Sequence, residues 1–198
     1  MKLERPLRAR RTALWLAAAA LVTPALAEPG RYTIDPTHTF VSLEVMHFNT
    51  SLNRARWVRK EGRIEFDRAG RSGRAEITID MASVSSGVPS FDRWMVGKEL
   101  FDVGRFPTAR FVGERFVFAG DKVSEVRGAL TLMGQTHPLT LKATLFNCYT
   151  SPLFRREVCG GDFEATLQRS RWGLTHGLPA IAPDDVRVLV QVEAIRQP

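Results

Sequence analysis

The chain has 198 residues, with 28 Lys and Arg against 21 Asp and Glu, a formal net charge of +7. The excess sits at the start: residues 1–27 hold five of the basic residues and one of the acidic ones, so residues 28–198 carry 23 against 20, a net +3. So small an excess does not point to a nucleic-acid partner, and the length fits one domain with a sizeable core or barrel.

Lys2, Arg5, Arg8, Arg10 and Arg11 precede the apolar run ALWLAAAALV and then TPALA. Basic start, apolar middle and small residues in that order predict a secretory signal peptide cleaved after Ala27. The mature chain, residues 28–198, is then expected in the periplasm or outside the cell. A membrane anchor fits less well, because the apolar run falls short of the roughly 20 residues a spanning helix needs.

Beyond the leader, apolar residues alternate with polar ones at period two, the pattern of half-buried strands. Val41, Leu43 and Val45 come first, then Ile64 and Phe66, then Ile77 and Ile79. Between them RARWVRK, residues 54–60, is a basic cluster, and RSRW, residues 169–172, is a second. Both are expected as solvated loops, with anionic lipid headgroups at a membrane surface as the alternative contact.

Residues 88–107, VPSFDRWMVGKELFDVGRFP, break the alternation. Ser90 suits a helix N-cap, Asp92 its first turn and Gly97 its end, with Phe91, Trp94 and Met95 forming an apolar stripe. Such a helix either plugs one end of the fold as ordinary core or flaps over a cavity mouth.

GALTLMGQTHPLTLKATL, residues 128–145, reads as a β-hairpin. Leu130 and Leu132 are expected across the loop from Leu139, Leu141 and Leu145, with His137 and Pro138 in the loop itself. Phe163, Ala165 and Leu167 form another alternating run, and Val186, Val188, Val190 and Val192 the last. At least seven such runs, separated by the turn signals DRAGRSG, FAGDKV, GQTHP and PAIAPDD, point to an all-β antiparallel sandwich or barrel.

Cys148 and Cys159 are the only cysteines. In an exported chain such a pair is most simply a disulfide, and its spacing is not the C-x-x-C of a thiol–disulfide enzyme. His38, His47, His137 and His176 show no close pair of the kind a zinc site uses, so no metal ligand is assigned. Neither a G-x-S-x-G elbow nor a phosphate-binding loop occurs. Asp35 and Asp102 have turn-like surroundings, and no residue is assigned a catalytic role.

YTIDPTHTFVSLEVMHF, LFDVGRFPTARF and GALTLMGQTHPLTLKA, taken in this order, resemble the YceI-like family of exported lipid-binding proteins, over roughly Arg31 to Ile195. The resemblance implies a lipocalin-like antiparallel β-barrel of about eight strands, with a short helical segment near one end and a hydrophobic tunnel. It implies a binding or carrier role, not an enzyme, for a long apolar chain: a polyisoprenoid, an isoprenoid quinone or a fatty-acid derivative. No cofactor beyond such a ligand is expected. The implied partners are that lipid and a membrane surface or membrane b-type cytochrome, and a dimer fits as well as a monomer. Arg54, Arg56, Trp57 and Arg59 depart from the glycine- and phenylalanine-containing turn usual in the family, which alters one barrel opening.

On this reading Val41, Leu43, Val45, Ile77, Ile79, Leu130, Leu132, Leu139 and Leu141 line the tunnel. Phe91, Trp94, Phe101, Phe106 and Trp172 close or shape its openings, and the Cys148–Cys159 bond staples a connection between two strands. Two other roles are open: an enzyme or electron-transfer accessory acting on a bound quinone, and a stress-response module whose cavity is incidental.

Overall fold

The computed structural model describes residues 29–198, so the predicted signal peptide lies outside the described residues. The strands run β1 Gly30–Ile34, β2 Phe40–His47, β3 Ser51–Trp57, β4 Lys60–Asp67, β5 Ser72–Asp80, β6 Val84–Ser85, β7 Thr108–Ala119, β8 Lys122–Leu132, β9 Gln135–Thr150, β10 Glu157–Gln168 and β11 Asp185–Arg196. One helix, α1, spans Pro89–Met95. Neighbouring strands are antiparallel in the order β1-β4-β5-β7-β8-β9-β10-β11, and β1 pairs back onto β11. The sheet therefore closes into the eight-stranded barrel expected, through the β1–β11 pairing, and β2 and β3 extend it beside β11.

The ring is not uniform along its length. β11 carries β1 beside its last residues, Ile34 opposite Ala194, and β2 beside its first half, Val41 opposite Val190. β4 likewise pairs with β1, and β3 with β2. Two long strands are thus each broken once, at residues 35–39 and at 58–59. The first break is an Asx turn: Asp35 Oδ1 accepts from the Thr37 backbone N–H at 2.8 Å and from its hydroxyl at 2.6 Å. Lys60 ties the breaks together, its Nζ donating to Pro36 O at 2.8 Å and Val58 O at 3.3 Å while lying 4.6 Å above the Phe40 ring.

That arrangement corrects the expectation for RARWVRK. Residues 54–57 belong to β3, Trp57 and Lys60 are buried, and Arg59 pairs with Asp80 at 2.8 Å. RSRW is not a solvated loop either. It is a 3-10 turn at Arg169–Trp172, whose first residue and last residue are both buried.

Helix α1 also begins differently from the expectation. Val88, not Ser90, is the N-cap, because Pro89 occupies the first helical position, where its preset φ and missing N–H are tolerated. Asp92 turns back instead, accepting from the Ser86 amide at 2.7 Å and hydroxyl at 2.6 Å, which fastens the incoming chain to the first turn. The helix ends before Gly97, whose amide donates to Trp94 O at 3.0 Å.

The β8–β9 hairpin has a shorter turn than GQTHP suggested. Only Met133 and Gly134 lie between the strands, both with positive φ (50° and 72°), the conformation of a two-residue type I′ turn. This turn sets the register: Leu132 stands opposite Gln135, Leu130 opposite His137, and Leu139 opposite Gly128. His137 and Pro138 are therefore strand residues. Leu145 leaves the inner face and is 59% exposed, because the β9–β10 pairing shifts register between Asp162 and Phe163. Farther along, Cys148 and Cys159 are direct cross-strand partners joined by a disulfide, as expected. They close the base of an arm that ends in Leu153 and Phe154.

Candidate ligand tunnel

Strand alternation puts one apolar face of every strand inside the ring, and that interior is not filled. Three adjoining spaces run along it. The widest, about 190 Å³, is bounded by α1 and the 173–184 loop. A middle space of about 90 Å³ and a far space of about 80 Å³ follow. Trp57, Leu132, Leu167 and Val188 wall both the wide chamber and the middle space. Val41, Ile77, Phe111, Leu141 and Val190 wall both the middle and the far space. Shared walls set the three spaces end to end along the barrel interior.

Twelve of the residues expected around the tunnel stand on its wall. Leu43, Val45, Phe91, Trp94, Phe101 and Leu132 surround the wide chamber. Ile79, Leu130 and Leu139 face the middle space, as do Val41, Ile77 and Leu141. Helix α1 therefore roofs the chamber with Phe91 and Trp94, whose rings stack at 5.4 Å, and buries Met95 beneath them.

Phe106 and Trp172 do not line the tunnel. Both pack at the β8–β9 corner instead. Phe106 sits over the turn, where a Cβ on Gly134 would come within 2.9 Å of its ring. Trp172 is fully buried, since its indole N–H finds an acceptor in Leu130 O at 3.1 Å and its ring meets the edge of His137 at 5.0 Å.

Several wall residues carried no sequence signal that set them apart. Trp57 and Phe111 alternate like ordinary core positions, yet both line two spaces. Val188 and Val190 were visible only as members of an alternating run. His47 and Asn53 reach the chamber because β2 and β3 register Val45 opposite Asn53 and His47 opposite Ser51, on the face that Leu43 and Ala55 share.

The two ends differ. At the far end Phe66 stacks on Phe118 at 6.0 Å and meets Phe146 edge-on at 5.7 Å and Phe116 at 6.1 Å, an aromatic stopper. Tyr32 joins it and donates its hydroxyl to Glu157 at 2.5 Å; burial first, then that hydrogen bond, push the phenol up to about 12. At the chamber end the wall is more polar, with His47, Asn53, Arg54, Arg169 and His176. Exposed Phe48, Leu52 and Ile181 lie beside it, and the Phe48 amide donates to Ile181 O at 2.8 Å.

Arg169 is the most committed of these groups. Its guanidinium donates to Leu174 O and His176 O at 2.9 Å, Pro183 O at 3.0 Å and Ala182 O at 3.2 Å. Burial lowers its pKa, with Asp184 opposing. Asp184 in turn accepts from the Ser170 amide and hydroxyl, both at 2.7 Å. One buried cation thus shapes the loop that floors the chamber.

Among the described residues one grouping, Cys148, Cys159 and Glu157, brings three potential metal donors together, and both sulfurs are bonded to each other.

A closed antiparallel barrel around an apolar tunnel, roofed by one short helix, defines the class: a tunnelled lipocalin-like barrel. Residues 32–194 match the YceI-like domain, and the chain belongs to that family. A UPF0312 protein of Pseudomonas paraeruginosa is 30% identical over 90% of this chain and 94% of its own length. A UPF0312 protein of Pseudomonas putida is 28% identical, over 90% and 93%. Among solved structures, Burkholderia cenocepacia BcnA superimposes with a TM-score of 0.68 at 23% identity, covering 81% of this chain and 98% of its own. A polyisoprenoid binding domain from Saccharophagus degradans, implicated in plant cell wall breakdown, gives 0.61 at 18% identity, covering 84% and 98%.

Proposed function

We propose that this protein is an exported carrier that holds a long apolar chain, of polyisoprenoid or isoprenoid-quinone type, in its tunnel, and that it binds without catalysing. The observation that carries the reading is the row of three adjoining apolar spaces along the barrel interior, each sharing wall residues with the next. Such a wall recognises length and width, since each CH₂ it takes from water contributes about 0.8 kcal/mol. Ordering a flexible chain offsets much of that gain, so affinity is set by fit and not by chain length alone. The Saccharophagus domain, described as polyisoprenoid binding, supports the ligand class by its shared fold. The leader pattern and the disulfide support export to an oxidising compartment. Membership of the YceI-like family supports delivery to a membrane surface or a membrane b-type cytochrome.

The test is native mass spectrometry of the mature protein purified under mild conditions, followed by solvent extraction and lipid identification. One chain-like lipid class at near-equal stoichiometry is the expected result. A protein that emerges empty, and that fails to take up isoprenoid chains when they are added, overturns the reading.

A further inference from the structure

We infer that the tip of the β9–β10 arm, residues 151–156, docks on an anionic lipid bilayer, with Leu153 and Phe154 entering the surface and Arg155 and Arg156 meeting its headgroups. The inference rests on the carrier reading above and deepens it, by giving the membrane contact a place on the molecule.

The arm stands clear of the ring. The β8–β9 ladder reaches its last partners at Glu125 and Lys142, whereas β9 runs on to Thr150, where it pairs with Glu157 of β10. At the turn, Leu153 is 80% exposed, more than any other large apolar side chain among the described residues, and Phe154 beside it is 40% exposed. Neither is needed to shape the tip, because Ser151 does that. Its amide donates to Arg156 O at 2.9 Å, its carbonyl accepts from the Arg155 amide at 2.8 Å, and its hydroxyl accepts from the Phe154 amide at 3.3 Å. The Cys148–Cys159 bond braces the arm behind it. A surface that receives this tip therefore does not have to order it first.

Charge and size decide what that surface is. Neither Arg155 nor Arg156 has an ion-pair partner among the described residues. Just below, Arg68 and Arg196 share one carboxylate, that of Glu157, at 3.7 and 3.8 Å. Glu193, the other carboxylate touching the arm, lies opposite Gly160 on the barrel side of the disulfide and accepts from the Tyr149 hydroxyl at 3.1 Å. Four cations around one carboxylate favour an anionic surface and oppose pairing of two copies tip to tip. Six residues also fall short of the roughly 800 Å² per partner that a stable protein interface buries. A bilayer asks for no complementary shape: the apolar pair leaves water while the guanidinium groups stay among the phosphates. The far space has Phe146, Cys159 and Gly160 on its wall, at the foot of the arm, so docking turns that end of the barrel toward the bilayer.

The experiment sediments the mature protein, with the lipid it retains, against vesicles of equal parts phosphatidylglycerol and phosphatidylcholine and against vesicles of phosphatidylcholine alone. Binding is expected to be at least tenfold tighter to the mixed vesicles and to weaken as salt is raised. Leu153→Asp with Phe154→Asp, and separately Arg155→Asn with Arg156→Gln, are each expected to lower it at least tenfold. Asparagine suits the φ of 52° at position 155. Amide exchange at residues 151–156 of the parent is expected to slow on the vesicles, a reading that needs no variant. Failure of the parent to bind mixed vesicles, undiminished binding by folded tip variants, or unchanged exchange at the tip overturns the inference. So does a parent dimer that the aspartate variant turns into a monomer, which makes the tip a contact between copies. Lipid is extracted from the same samples. A retained chain without vesicle binding sinks the docking and leaves the carrier reading standing, whereas vesicle binding by an empty protein removes the carrier reading alone.

Discussion

Arg169 Nη1 lies 2.9 Å from the carbonyl oxygen of Leu174, and the same guanidinium reaches three further carbonyls of the loop it anchors. A single side chain at the end of β10 thereby fixes the floor of the wide chamber. Arg169→Met, which removes the donors and keeps much of the volume, is expected to lower unfolding stability by about 2–4 kcal/mol in urea melts, because buried carbonyls lose their partners. Arg169→Lys recovers less than half of that loss, since one ammonium cannot span four acceptors. A variant as stable as the parent would show that water replaces the guanidinium.

Leu141 stands on the wall shared by the middle and far spaces. Leu141→Arg places a charge across the bore, and the purified variant is expected to retain less than a tenth of the parent's lipid. Leu141→Met keeps size and apolarity and retains it. Extraction and mass spectrometry of both proteins decide the matter; undiminished lipid in the arginine variant would place the ligand elsewhere.

The disulfide closes an arm that the β9–β10 ladder already holds, so its contribution should be local. Replacing Cys148 and Cys159 by Ala is expected to cost about 2 kcal/mol, near the low end for so short a loop. Amide exchange should accelerate at residues 149–158 before it does in the rest of the barrel. Uniform acceleration throughout would instead make the bond a global brace.

Tyr32 supplies a pH signature. Its phenol is pushed up to about 12, first by burial and then by the hydrogen bond to Glu157. The folded protein therefore holds this proton more tightly than the unfolded chain does, whose ordinary value is about 10. The resulting stability is intact below about pH 10 and is lost as pH rises toward about 12. The chain has only two tyrosines, so Tyr149→Phe isolates the signal for absorbance titration of the phenolate. Ionisation near 10 in the folded variant would contradict the buried hydrogen bond.

Much of the barrel was legible in the sequence, because alternation is local and each wall strand displays it. Leu43 and Val45, or Leu139 and Leu141, announce an inner face without any knowledge of the neighbours. What alternation does not contain is the partner across the ring. Arg169 read as a surface cation because the four carbonyls it holds come from the 174–183 loop, which has no period. His137 read as a turn residue because Met133, a non-glycine at positive φ, gave no sign that it shares the turn with Gly134. Trp57 sat within a basic cluster, and only the β2–β3 register turns it inward. Positions decided by long-range register or by a lone buried charge were the ones missed.

The paired breaks at residues 35–39 and 58–59 act as a joint in the tube. Beyond it β1 and β4 build one half of the bore, and before it β2 and β3 build the other, while β11 passes through both. The two halves are separately adjustable parts. Substitutions in β3 and the 173–184 loop can reshape the wide chamber while the aromatic cluster around Phe66 at the far end stays as it is. The two ends of the bore can therefore be altered one at a time.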